Sequence, residues 1–127
     1  MKTCSKCHSI KPLTEYNGKA GVKYIRPTCR ECEQTMRHLR DLKRLFGISA
    51  AEYYIRLELQ NHVCAICKKV SDKRLCVEHD HFTGKIRGLS CNNCNLVLGY
   101  CSENVQTLLS AAVYLLEHNG ETPINRS

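Results

Sequence analysis

Eight of the ten cysteines in this 127-residue chain fall into four Cys-x-x-Cys pairs: Cys4/Cys7, Cys29/Cys32, Cys64/Cys67 and Cys91/Cys94. Few features constrain a short chain more, because chains of this size bury a limited core and lean on metals or disulfides. About 20 residues separate Cys7 from Cys29, and 23 separate Cys67 from Cys91, so the pairs sort into two sets of four. Each set suits one tetrahedral zinc ion, the first with a zinc-ribbon spacing. The opening MKTCSKCHSIKPL has no apolar h-region, and no apolar run approaches the ~20 residues that span a bilayer. The expectation is a cytoplasmic chain without a membrane partner, in which thiols stay reduced and paired cysteines mean metal rather than disulfide. Thioredoxin-like chemistry does not fit four such pairs in a chain without βαβ units. Two structural Zn²⁺ ions are therefore expected. His8 follows Cys7 directly, but four thiolates already complete the tetrahedron, which leaves His8 a solvated neighbour.

The net charge of +7 is unevenly spread. Residues 1–62 hold 12 Lys+Arg against 6 Asp+Glu, whereas residues 63–127 hold 7 against 6. A basic half is an electrostatic footprint for phosphates, although solubility alone also explains it.

Four segments follow from the pattern: a four-cysteine zinc knuckle module over 1–35, a basic helical connector over 36–62, a core over 63–101, and an amphipathic helix and tail over 102–127. In the first, Pro12, Gly18, Gly21 and Pro27 predict turns or a short hairpin between the cysteine pairs. From Glu31 to about Phe46 the sequence reads as a helix with Arg37, Arg40, Lys43 and Arg44 at three- and four-residue spacings, over a thin apolar stripe of Met36, Leu39, Leu42 and Leu45. That basic face is either solvated or a phosphate contact. Gly47 ends the helix, and Ser49 with Glu52 forms a capping box for a second one reaching about Gln60. A last helix, capped by Ser102 and stopped by Gly120 and Pro123, carries Val105, Leu108, Leu109, Ala112, Val113, Leu115 and Leu116 on one face. Its polar face is not basic, so the stripe reads as core or a dimer contact rather than a membrane binder.

The chemistry concentrates between the second set of cysteines. Cys64-Ala-Ile-Cys67 is followed by Val77-Glu78-His79-Asp80-His81, then by Gly84-Lys85-Ile86-Arg87-Gly88-Leu89-Ser90-Cys91-Asn92-Asn93-Cys94-Asn95. Leu75, Val77, the turn Phe82-Thr83-Gly84-Lys85 and Ile86 predict a hairpin, and Cys91 to Cys94 leads into a helix holding Asn95. The order is β, β, α, with a histidine on the first strand and an asparagine on the helix. Along an ideal strand Glu78 and His79 face opposite sides while His79 and His81 align. Bringing Glu78 and His79 to one point needs a twist, a bulge or a strand end between them. His79 and His81 could also serve as ligands of a mixed Cys/His zinc site, and Asp80 could orient a histidine ring. Cys76 and Cys101, without partners, read as small buried hydrophobes.

These residues, together with Leu98-Gly99, resemble the recombination endonuclease VII family of phages, within the HNH or ββα-metal nucleases. The resemblance covers residues 63–101. It implies an α+β fold: a small zinc-stapled ββα-metal (His-Me finger) core with an N-terminal zinc-ribbon module and flanking helices. It implies a metal-dependent DNA endonuclease, encoded by a phage and working in the host cytoplasm, that leaves 5′-phosphate and 3′-hydroxyl ends. His79 would be the general base, Glu78 and Asn95 the protein ligands of one catalytic Mg²⁺ or Mn²⁺, and His81 a supporting residue near the scissile phosphate. Cys64, Cys67, Cys91 and Cys94 would hold one structural zinc, and the N-terminal Cys4, Cys7, Cys29 and Cys32 resemble knuckle extensions of small phage relatives. Glu78 stands where the family usually has Asp.

Elementary chemistry is consistent with those roles. Imidazole, titrating near ~6.5, is a suitable base close to neutral pH. A hard cation takes oxygen ligands and lets water and phosphate complete its shell. Lys85 or Arg87 would bind a neighbouring phosphate, Arg87 through its bidentate fork. Family members resolve four-way junctions as dimers and other HNH proteins nick or cleave duplexes, so branched DNA and a homodimer are both open expectations. The competing reading is a non-catalytic zinc-stabilised DNA-binding or phage assembly module.

Overall fold

A computed structural model describes residues 1–18 and 24–118 of the chain. Gly21, expected in a turn, and the expected helix stops Gly120 and Pro123 lie outside the described residues. The chain divides into two compact units, Met1–Glu58 and Leu59 onward.

The first unit begins with two small antiparallel hairpins. β1 (Lys2–Thr3) pairs with β2 (Ile10–Lys11), and β3 (Tyr16–Gly18) with β4 (Ile25–Cys29). Tyr16 is buried with Cys4 and Cys29, and its hydroxyl donates to the Lys2 carbonyl at 2.7 Å. Helix α1 (Arg30–Phe46) starts directly from β4 and ends at Gly47, whose φ of 69° is the left-handed conformation that closes a helix without a Cβ penalty. Of the expected stripe only Leu42 is buried; Leu39 is half-buried, while Met36 and Leu45 are exposed. Ile48 and Tyr53 of the next segment are also buried, the Ile48 N–H donates to the Leu42 carbonyl at 3.4 Å, and the Tyr53 ring stands edge-on to His38 at 4.9 Å. Helix α2 (Ala50–Leu59) carries the expected cap: the Glu52 N–H donates to Ser49 Oγ at 3.1 Å, while the Glu52 carboxylate pairs with Arg56.

The second unit holds an antiparallel hairpin, β5 (Cys76–His79) with β6 (Ile86–Ser90), followed by α3 (Asn92–Tyr100), which packs on β5, and by α4 (Val105–His118). Among its described residues Leu75, Val77, Leu89 and Cys64 are the buried apolar side chains. The side-chain amide of Gln60 binds the open edge of β6. Its amide oxygen accepts from the Leu89 N–H at 2.8 Å, and its amide nitrogen donates to the Leu89 carbonyl at 2.8 Å. Gly88 lets this happen, since a Cβ there would lie 3.2 Å from Gln60 Oε1 and 3.4 Å from the Ala65 methyl. Gln60→Ala leaves the N–H of fully buried Leu89 unpaired. The expected loss is ~1–3 kcal/mol of stability, read by chemical denaturation of the zinc-loaded chain.

The hairpin turn forms where expected. Asp80 Oδ1 accepts from the N–H groups of Phe82 (2.8 Å) and Thr83 (3.0 Å), and Gly84 takes φ 75°. Those N–H groups, that of Thr83 first, hold the Asp80 carboxyl below its ordinary range. Asp80 therefore builds the turn through this oxygen.

Two features of the C-terminal segment differ from expectation. Asn104, not Ser102, caps α4: its Oδ1 accepts from the Thr107 N–H at 2.9 Å. Ser102 has φ 51°, a left-handed backbone that an N-cap residue cannot use. The apolar face of α4, expected as core or a dimer contact, is not buried among the described residues: none of the helix is buried and Leu109 is 57% exposed.

Candidate active site and zinc centres

The two cysteine sets are built alike, residue for residue. In the first knuckle the Lys6 N–H donates to Cys4 Sγ at 3.4 Å, the His8 N–H to the Cys4 carbonyl at 2.9 Å, and the Cys4 N–H to the Ser9 carbonyl at 3.0 Å. In the second, the Ile66 N–H donates to Cys64 Sγ at 3.4 Å, the Lys68 N–H to the Cys64 carbonyl at 3.0 Å, and the Cys64 N–H to the Lys69 carbonyl at 3.0 Å. His8 and Lys68 both take φ 60° to complete the turn. His8 is exposed, as expected of a solvated neighbour. The remaining two thiols of each set come from a helix start: Cys29 precedes α1 with Cys32 in its first turn, and Cys91 precedes α3 with Cys94 in its first turn. A helix N-terminus favours negative charge and so supports thiolates.

Within each set the four sulfurs lie within 4.8 Å of one another. A tetrahedral zinc with Zn–S of about 2.3 Å requires sulfurs about 3.8 Å apart. Cys4 and Cys32 stand 3.8 Å apart, Cys7 and Cys29 4.0 Å, and Cys67 and Cys91 4.0 Å, so both sets fit the ion. The thiols themselves need it. Backbone N–H groups of Cys7 and Cys29 lower Cys4 to about 5, whereas the Cys29 sulfur and then burial push Cys32 up to about 12. In the second set burial works against ionisation of Cys64, but the N–H groups of Cys91, Cys67 and Ile66 outweigh it and leave about 6. Burial and then the Cys91 sulfur push Cys94 up to about 12. Four thiolates at this range repel one another unless a cation sits between them. Among the described residues both clusters are all-cysteine, and His79 and His81 belong to neither. Cys76 and Cys101 are half-buried and also lie outside the clusters.

The second unit carries the candidate active site on its ββα segment. Glu78 and His79 end β5, and the register slips between them: Glu78 pairs with Gly88 but His79 pairs with Ile86. Arg87, on β6, is the extra residue of this bulge, and Glu78 and His79 stand opposite it at the end of β5. His79 is half-buried, and its ring meets that of exposed His81 edge-on at 5.0 Å. Asn95 is half-buried in the first turn of α3, where its N–H donates to the Cys91 carbonyl at 3.0 Å. Cys91, a member of the second cysteine cluster, therefore ties the start of the helix that carries Asn95 to that cluster.

Glu78 is 7% exposed and does not stand alone. Arg87 grips it with two nitrogens, Nε to Oε2 at 3.0 Å and one terminal nitrogen to Oε1. The same guanidinium donates to the His79 carbonyl at 3.3 Å and to Glu103 Oε2 at 3.2 Å. Arg87, expected to meet a phosphate, thus faces two carboxylates, and Lys85 lies exposed in the turn. Glu103 is a participant that the sequence did not single out. Its other oxygen, Oε1, lies 3.0 Å from His81 Nδ1 and accepts from the His81 N–H at 3.3 Å. An acid one residue before a helix cap carries no spacing rule, so only the folded chain places it.

Comparison with known proteins gives the family. The recombination endonuclease VII family matches residues 38–117, from within α1 to the end of α4 and so beyond the 63–101 stretch that carries the motifs. The "Gene 59 protein" of Mycobacterium phage D29 is 34% identical over 125 residues, covering 90% of this chain and 73% of that protein. Its namesake in Mycobacterium phage L5 is 33% identical over 126 residues, covering 91% and 74%. Among solved structures, the ββα-Me type II restriction endonuclease Hpy99I matches with 29% identity and a TM-score of 0.41, over 92% of this chain and 65% of that one. No helix among the described residues is long and apolar enough to cross a membrane. With the family matched over more than half its length, and phage relatives matched over most of theirs, the chain belongs to the recombination endonuclease VII family, a family of nucleases.

Proposed function

We propose that this protein is a metal-dependent DNA endonuclease that hydrolyses phosphodiester bonds to 5′-phosphate and 3′-hydroxyl ends in the host cytoplasm. The observation that supports the reading is the cluster at the end of β5, where buried Glu78 is held by Arg87 and the His79 ring meets that of His81. Glu78 and Asn95 supply the oxygen ligands that a hard divalent ion such as Mg²⁺ or Mn²⁺ prefers. Glu78 fits that role once Arg87 yields at least one of its oxygens, which it now holds through two nitrogens. The ion, when bound, would neutralise charge on the phosphate and on the departing oxygen. His79 takes the proton of the attacking water, and His81, against its ring, supports the phosphate side of the site. Arg87, freed from Glu78, offers a fork suited to a phosphate, and Lys85 a point charge beside it. Electrostatic attraction to DNA gains from the exposed Arg37, Arg40 and Lys43 of α1.

Incubation of the zinc-loaded protein with a four-way junction, a nicked duplex and a plain duplex, each with Mg²⁺ or Mn²⁺, tests the proposal. Metal-dependent cleavage of at least one is expected. Tight, salt-sensitive binding with no cleavage in either metal points instead to the non-catalytic binding module.

The open apolar face of α4 supports a homodimer. Leu109 and Val113 are the exposed side chains one turn apart at its middle. Leu109→Glu with Val113→Glu is expected to convert a dimer into a folded monomer in analytical ultracentrifugation. An unchanged sedimentation coefficient would remove α4 as the interface.

A further inference from the structure

Glu103 stands on the turn between α3 and α4, in a backbone that is itself unusual. Ser102 and Glu103 both adopt left-handed conformations, with φ 51° and 55°. Non-glycine residues populate that region sparsely and persist there when the surroundings over-determine them. Here three backbone hydrogen bonds do so: the Ser102 N–H to the Gly99 carbonyl (3.0 Å), the Glu103 N–H to the Leu98 carbonyl (2.8 Å) and the Asn104 N–H to the Cys101 carbonyl (2.9 Å). The turn delivers the carboxylate to the far end of the β5–β6 hairpin, where only 11% of the side chain remains exposed. Its two oxygens go to two different residues of the candidate site, Oε1 to His81 and Oε2 to Arg87.

Each contact has a chemical consequence. A carboxylate only accepts, so the His81 Nδ1 that lies 3.0 Å from it carries the proton. In the neutral ring the other nitrogen, Nε2, is then left as the acceptor, the reverse of the proton placement that histidine favours in water. Arg87, for its part, has two carboxylate partners rather than one. It can release Glu78 to an incoming cation and still keep a charged hydrogen bond.

We propose that Glu103 is a positioning residue of this centre, holding the His81 ring in its Nδ1–H form with one oxygen while retaining Arg87 beside Glu78 with the other. The inference rests on the endonuclease reading for its effect on catalysis, but the arrangement itself is a property of the folded chain.

Long-range ¹H–¹⁵N NMR of the full, zinc-loaded chain reads the arrangement directly. The pH is set at about 8.5, where imidazole is neutral. Six histidines are present, and His81→Gln assigns the signal. In the wild type His81 is expected to show the Nδ1–H pattern. Glu103→Ala should restore the Nε2–H form. Glu103→Gln should do the same, because its single amide oxygen stays with the charged Arg87 and its NH₂ turns to the Nδ1 lone pair. Mn²⁺ binding followed by electron paramagnetic resonance should weaken roughly tenfold in both variants, since Arg87 is left with Glu78 as its only carboxylate. On a cleaved DNA, kcat should fall about tenfold or more with KM little changed.

A wild-type His81 in the Nε2–H form overturns the proposal, and this result does not depend on whether any variant folds. An unchanged tautomer and unchanged Mn²⁺ affinity in folded Glu103→Gln overturns it as well. Absence of DNA cleavage by the wild type would instead remove the endonuclease reading and leave the tautomer to decide the role of Glu103.

Discussion

His79→Ala is expected to slow metal-dependent DNA cleavage by ~10²–10⁴-fold, the usual loss when a positioned general base is removed. At about 1.36 kcal/mol per tenfold, that is roughly 3–5 kcal/mol of transition-state stabilisation. The effect should lie in kcat rather than in KM, because the base acts on the attacking water and contributes little to holding DNA. The fold should survive. His79 is half-buried at the end of β5, and its backbone pairing with Ile86 does not need the ring. Both zinc ions should remain, since neither cluster uses a histidine. Gel assays on the DNA that the wild type cuts, combined with zinc analysis and circular dichroism, check all three points. Full activity in a folded His79→Ala protein would exclude this residue as the base. His81, 5.0 Å away ring to ring, is the neighbour that could substitute in part, and the double variant separates the two.

How much of this site the sequence reveals depends on the range of the rule involved. Zinc ligation is local: a Cys-x-x-Cys knuckle needs only its own turn, and both knuckles close as the spacing predicts, each with the following residue at φ 60°. The β, β, α order is local too, since Asp80 and Gly84 make the turn and Cys91 starts the helix. Pairwise partners across the fold are not. Arg87 reads as a free cation suited to phosphate, yet the bulge sets it against Glu78, and a turn 16 residues further on brings Glu103 to its other side. Gln60 reads as the end of a helix, and the binding of its side-chain amide to the edge of β6 depends on Leu89, 29 residues away. The misplaced cap has the same origin. Ser102 satisfies the local preference for a hydroxyl before a helix, but placing the Glu103 carboxylate on the hairpin puts both residues in the left-handed region and passes the cap to Asn104. On α1 the helix forms as the periodicity predicts, but of its apolar stripe only Leu42 is buried.

Loss of zinc should have the second large effect, on folding rather than on rate. Among its described residues the second unit buries few apolar side chains, Leu75, Val77 and Leu89, besides fully buried Cys64. A core of that size does not hold a hairpin and two helices without a staple. Structural zinc binding is worth ~10–16 kcal/mol in small zinc domains near neutral pH, and that free energy is folding free energy. Wild-type protein is expected to carry two zinc ions per chain. Cys64→Ala should lower this to one, unfold β5, β6 and α3, and abolish cleavage, although it touches neither His79 nor Asn95. Chelation of the wild type should do the same and be reversed by Zn²⁺ but not by Mg²⁺, because thiolates are soft ligands that a hard cation does not satisfy. The comparison with Cys4→Ala is the sharper part. That variant should also lose one zinc, but from the other cluster, while β5–β6 and α3 keep their amide protection in hydrogen exchange. If Cys64→Ala instead retained two zinc ions and native protection over residues 75–95, the ion would not be what fixes Asn95 at the start of α3, and the route from cysteine spacing to catalytic geometry would fail at its first step.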